Sequence, residues 1–146
     1  MNPCATYEDV NLVLKLYELR REQKLREARA WFVKVFHANN MAEFDKICPR
    51  GTDENAHYRM VISYWDMVAS FVTSGVLHQE LFFQNGREML VVWERIRDLL
   101  PEYRKTVQDP TSLENLEKVA KAYIDWMNKR APHSYEAFAA RIRGAA

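Results

Sequence analysis

Glycine and proline are scarce, with 4 and 5 residues in a chain of 146, about half the average usage. A chain so poor in turn formers cannot readily make the many tight connections of an all-β fold. Cysteine is scarcer still. Cys4 and Cys48 lie far apart and belong to no Cys-x-x-Cys pair, which argues against a disulfide scaffold and a structural zinc site. Charge of one sign is missing as well: Lys+Arg 21 against Asp+Glu 20 leaves a net +1. That balance offers no global attraction to nucleic acid or anionic lipid. The most apolar early stretch, Val10 to Leu19, carries Asn11, Lys15 and Glu18 and has about half the roughly 20 residues a membrane helix needs. Met1-Asn2-Pro3-Cys4-Ala5-Thr6 lacks the basic and apolar regions of a secretory signal. No glycine-rich phosphate loop or nucleophile elbow is present. The expectation is a cytoplasmic protein with no nucleic-acid or membrane partner and no cofactor.

What is there is ordinary for a folded chain: 48% hydrophobic and 28% charged residues. The length suits a single domain, residues 1–146, able to bury about 68–70% of its unfolded surface. The few breakers nearly draw the map. From Ala5 to Cys48 there is no Gly or Pro. Thr6 reads as an N-cap with acidic Asp9 at N3. Val10, Leu14 and Tyr17 run at helical spacing, and Ala28, Trp31 and Val35 resume the same heptad phase. The spacing predicts one long first helix, Thr6 to His37, about 48 Å at 1.5 Å per residue. Its waist, Arg20 to Glu27, is polar nearly all round, so two helices broken there is the second reading.

Asn40 and Glu43 form a capping box for a short helix ending before Pro49. After the Pro49-Arg50-Gly51 turn, Thr52 or Asp53 caps the strongest helix. Its wide stripe runs through Met60, Val61, Tyr64, Trp65, Val68, Phe71 and Val72 to a C′ Gly75. A short helix through Leu81-Phe82-Phe83 stops at Gln84-Asn85-Gly86. The next carries Met89, Val92, Trp93, Ile96 and Leu99, and Pro101 kinks it or opens a new first turn. Thr111-x-x-Glu114 reads as another capping box, for a helix ending before Pro132, and Ser134 caps the last one. No segment alternates like a strand. Trp31, Trp65, Trp93 and Trp126 fall at intervals of 34, 28 and 33, but the flanking residues do not repeat, which favours an irregular bundle over a solenoid. The fold class read here is all-α, a bundle of about six to eight helices.

The run Arg59-Met60-Val61-Ile62-Ser63-Tyr64-Trp65-Asp66-Met67-Val68 carries a resemblance. It continues through Ser74-Gly75-Val76-Leu77, Leu81-Phe82-Phe83, Trp93, the Leu99-Leu100-Pro101 corner and Arg104, with Arg26-Glu27-Ala28-Arg29 and Trp31-Phe32 upstream. Over about residues 25–105 the pattern resembles a bacterial family, domain of unknown function four-seven-six-zero. The resemblance implies a small helical domain and brings no activity, cofactor or site residue with it.

Glu54-x-x-His57 is the one metal-like spacing. Carboxylate-bridged di-iron bundles use two such pairs and a Glu from each of two other helices. The second pair is missing, and an acidic first turn suits the helix dipole anyway, so a structural role outweighs a metal one. His37, His78 and His133 each sit beside a predicted helix end, and Cys48 before Pro49 reads as a small half-buried apolar residue. No catalytic residue can be named; a spatial triad leaves no mark in sequence. Between residues 15 and 34, Lys15, Arg20, Arg21, Lys24, Arg26, Arg29 and Lys34 outnumber Glu18, Glu22 and Glu27. No aromatic lies among the charges of the waist, Arg20 to Arg29, so they read as a solvated face before a nucleic-acid site.

The role these observations favour is a non-enzymatic interaction or regulatory module. Its partner would be a second copy or another protein, met through Val10, Leu14 and Tyr17 on a helix too long for a domain of this size to cover. The alternative is a bundle with an aromatic-lined pocket for a small apolar ligand. Third comes a metalloprotein or enzyme built from dispersed residues. Trp65 and Trp93 are expected in the core.

Overall fold

Local caps set most of the helix starts. Thr6 Oγ1 accepts the Asp9 N–H at 3.3 Å while Asp9 Oδ2 accepts the Thr6 N–H at 2.8 Å, a reciprocal box opening α1, Tyr7–Arg20. The Asn40 side chain caps α3, Met41–Ile47, and Thr52 caps α4, Asp53–Thr73. Gly75, at φ +82°, turns the chain out of α4. The computed structural model describes residues 4–144; Met1-Asn2-Pro3, part of the segment read for a leader, lies outside the described residues. Within them the remaining helices are α2 (Gln23–Lys34), α5 (Gln79–Asn85), α6 (Glu88–Ile96), α7 (Leu100–Val107), α8 (Glu114–Arg130) and α9 (Ser134–Gly144). The all-α reading holds: there are nine helices and no strand among the described residues, slightly more helices than the six to eight expected.

The long first helix is corrected. It breaks at Arg21-Glu22, and Glu22, at ψ 139°, accepts the Leu25 N–H with its carboxylate at 3.1 Å. The break has a packing reason. It turns Leu25, Ala28, Phe32 and Phe36 inward together, all buried, a set that cannot share a face with Leu16 on one straight rod. Of the heptad phase read across the waist, Ala28 is buried and Trp31 half-buried, while Val10, Leu14, Tyr17 and Val35 are exposed. Two later caps differ as well. Asp109 takes the Thr111 N–H at 2.9 Å and its hydroxyl at 2.6 Å, so α8 starts from Leu113 at φ 60° with no side-chain cap. The Ser134 hydroxyl donates back to the Met127 carbonyl at 3.1 Å. Pro101 lies in the first turn of α7.

α4 is the spine, packed along α2 and α8, with α6 also against it. Trp65 and Trp93 are 3% and 4% exposed, in one core cluster that all nine helices reach. Buried charges fasten the periphery. Arg95 on α6 donates to the Phe36 carbonyl at 3.0 Å and the Val33 carbonyl at 3.1 Å, serving the C-terminal end of α2. Glu94, its side chain fully enclosed, accepts from the Tyr135 hydroxyl and from Arg143 at 2.6 Å, tying α9 to α6.

Candidate functional site

α1 is fastened to the bundle mainly by polar staples. Near its start, Asp9 Oδ1 accepts the His78 N–H at the head of α5, at 2.8 Å. Midway, the Tyr64 hydroxyl on α4 donates to the Leu16 carbonyl at 2.6 Å, and burial pushes that hydroxyl up to about 12. At its end, Arg20 meets Glu88 of α6 at 2.9 Å, where Arg29 of α2 also binds both carboxylate oxygens. The α1 residues buried beneath it are Asp9 and Leu16. With so little apolar packing under the helix, a gap persists.

That gap is a cavity of about 310 Å3 between α1, α4 and α5. Val13, Leu14, Leu16 and Tyr17 come from α1, Tyr64, Trp65 and Val68 from α4, and Phe82 from α5. Arg20 and Asn85 are the polar residues at its edge besides the tyrosines. The Arg20 guanidinium lies 5.1 Å from the Tyr17 ring centre and 5.5 Å from that of Trp65. Gly86 keeps Phe82 in place: a Cβ there would stand 2.4 Å from the phenyl ring. Trp65 Nε1 is buried with no hydrogen-bond partner. Two further clefts are wider and more polar, about 1040 Å3 along the outer side of α4 and about 760 Å3 beside α3 and α7. Key polar groups there are already engaged: Asp66 accepts the Leu116 N–H and Arg59 donates to Asn55.

The residues singled out from sequence fall as follows. Val10, Leu14 and Tyr17 are 41%, 57% and 51% exposed, and Tyr7, at 88%, extends their row. Leu14 and Tyr17 also line the cavity, so stripe and cavity are continuous. Glu54 is exposed, and His57 packs its half-buried ring 5.8 Å from that of Trp31. No group of three or more His, Cys, Asp or Glu able to hold a metal ion exists among the described residues. His78 Nδ1 accepts the Leu81 N–H, His37 lies against Arg95, and His133 pairs with Glu136. Burial, with Asp45 and Glu54 nearby, pushes the Cys48 thiol up to about 12, away from nucleophilic use. Sequence reasoning placed Tyr64, Trp65 and Val68 in the core and missed that they also wall a void. Arg20, three residues beyond Tyr17, and Gly86, four beyond Phe82, were the available signals.

The family model described as domain of unknown function (DUF4760) matches residues 5–143. The chain belongs to that family. The match carries the family pattern beyond the 25–105 resemblance, taking in all of α1, the cavity roof, and all of α8. No curated protein and no solved structure matches the chain. No helix among the described residues is long and apolar enough to cross a membrane.

Proposed function

We propose that the protein works by binding rather than catalysis, its α1–α4–α5 cavity taking a small apolar guest. The carrying observation is the cavity itself, about 310 Å3 with mostly aromatic and aliphatic walls and two polar side chains at its edge. That size and make-up fall at the small end of ligand sites. No carboxylate, imidazole or thiol of the described residues lines it, which supports binding over acid–base or nucleophilic chemistry. A neutral fluorescent naphthylamine should bind saturably, one per chain, and lose its site in Val13→Phe, which fills the rim from a half-buried position. A probe signal that never saturates, or is unmoved by Val13→Phe, would sink the reading.

The second reading is association through the α1 stripe, with a second copy as partner. Tyr7, Val10, Leu14 and Tyr17 form an exposed row along α1, and large apolar rows of this kind mark interaction surfaces. The two readings share Leu14 and Tyr17, so a partner would cover the cavity mouth.

A further inference from the structure

We infer that the cavity guest is an apolar chain ending in a carboxylate, with its tail between α1, α4 and α5 and its head at Arg20 and Arg21. This rests on the small-ligand reading of the cavity and adds the head group to it. The charge around the mouth is uneven. Glu88 is the single carboxylate paired with both Arg20 and Arg29, so two guanidiniums share one negative charge. Arg21 stands 5.8 Å from the Tyr17 ring centre and has no ion-pair partner among the described residues. The neighbouring Glu22 is engaged in capping α2 through the Leu25 N–H. A cationic surplus therefore sits at the end of the cavity where α1 stops. Arg20 lies over the Tyr17 and Trp65 rings with Nη1 on Glu88, and no acceptor among the described residues engages its remaining N–H groups, which leaves them for a ligand oxygen.

The tail is bounded by volume. A void of about 150 Å3 lined by aliphatic and aromatic groups holds one benzene. At about 310 Å3 this cavity has room for a chain of about eight carbons, on the same scale. Asn85 donates its amide N–H to the Leu81 carbonyl at 2.8 Å, which fixes the amide and leaves no charge of either sign at that edge. The head is drawn to the arginine end and the tail to the Phe82–Val68 end.

The test is calorimetric titration of the full chain with octanoate and with octanol, which share a tail and differ in head charge. Octanoate should bind about tenfold more tightly at low salt, and the difference should shrink as salt screens the rim. Arg21→Ala, which touches no ion pair of the fold, should narrow the gap between octanoate and octanol and leave octanol nearly unchanged. Val13→Phe should weaken both. Equal binding of the two would overturn the head-group inference while leaving the apolar cavity in place, as would a preference undiminished by Arg21→Ala and by high salt. Failure of both to bind would overturn this inference together with the reading beneath it.

Discussion

Trp65 shows how one residue serves two demands. Its ring packs in the core and walls the cavity, while its indole N–H is shut away without an acceptor, a penalty of about 1–3 kcal/mol. Trp65→Ala should lower stability by about 3–5 kcal/mol in denaturant titration, the usual range for a large core aromatic. Trp65→Phe should cost far less, since it keeps the ring contact and removes the orphaned donor. A loss under about 1 kcal/mol for the alanine variant would mean that the ring contributes little to the core. Asp9 is the second instructive residue. Hydrogen bonds from the Thr6 backbone, then from that of His78, hold its carboxyl below the ordinary value. A lowered folded-state value means that ionisation stabilises the fold fully above about pH 4. That contribution is lost as pH falls through the lowered value. Asp9→Asn should therefore be less stable than the parent at neutral pH and converge with it in acid. Parallel curves across the acid range would refute the linkage.

At the scale of the element, α1 differs from the helices around it. α4 buries eight residues, Tyr58 through Val72, whereas α1 buries only Asp9 and Leu16. Helices held by few buried apolar contacts open first. Amide hydrogen exchange should therefore run fastest, among the long helices, in the middle of α1 and slowest in α4, and octanoate should slow α1 selectively. Uniform protection of α1 and α4 would contradict this. The elements also show which parts of the fold the sequence makes legible. Thr6, Asn40, Thr52 and Gly75 mark helix ends by local chemistry, and each acts where its residue type predicts. The waist misled because Ala28, Trp31 and Val35 fall in phase with Val10 by count alone. The set that turns inward is Leu25, Ala28, Phe32 and Phe36, and only packing against α4 chooses it. Thr111 misled because Asp109, two residues earlier, captures its N–H and hydroxyl first. The cavity was illegible for a different reason. It is a gap between three helices, and no single segment records it.

At the scale of the molecule, the break at Arg21-Glu22 changes the case for association. A continuous rod of about 48 Å would have protruded from the bundle; instead α1 packs against α2 and α5, and α2 is packed on α4. What survives is the row Tyr7, Val10, Leu14 and Tyr17, spanning about 15 Å of α1 at 1.5 Å per residue. Four side chains on so short a length cover much less than the roughly 800 Å2 per partner of a standard interface. Any self-pairing through them should therefore be weak and reversible. The expected result is a light-scattering mass that rises from 17.3 kDa toward twice that value as protein concentration climbs through the micromolar range. Leu14→Glu places a charge in the centre of the row, where pairing would desolvate it, and should hold the mass at the monomer value. Because Leu14 is 57% exposed, that change should leave the melting temperature nearly unmoved, which separates lost pairing from lost folding. Octanoate, if it fills the cavity beneath Leu14 and Tyr17, should shift the monomer–dimer balance as well, since both events use the same two side chains. A mass fixed at 17.3 kDa across the whole range, with and without octanoate, would remove the second copy as the partner of α1.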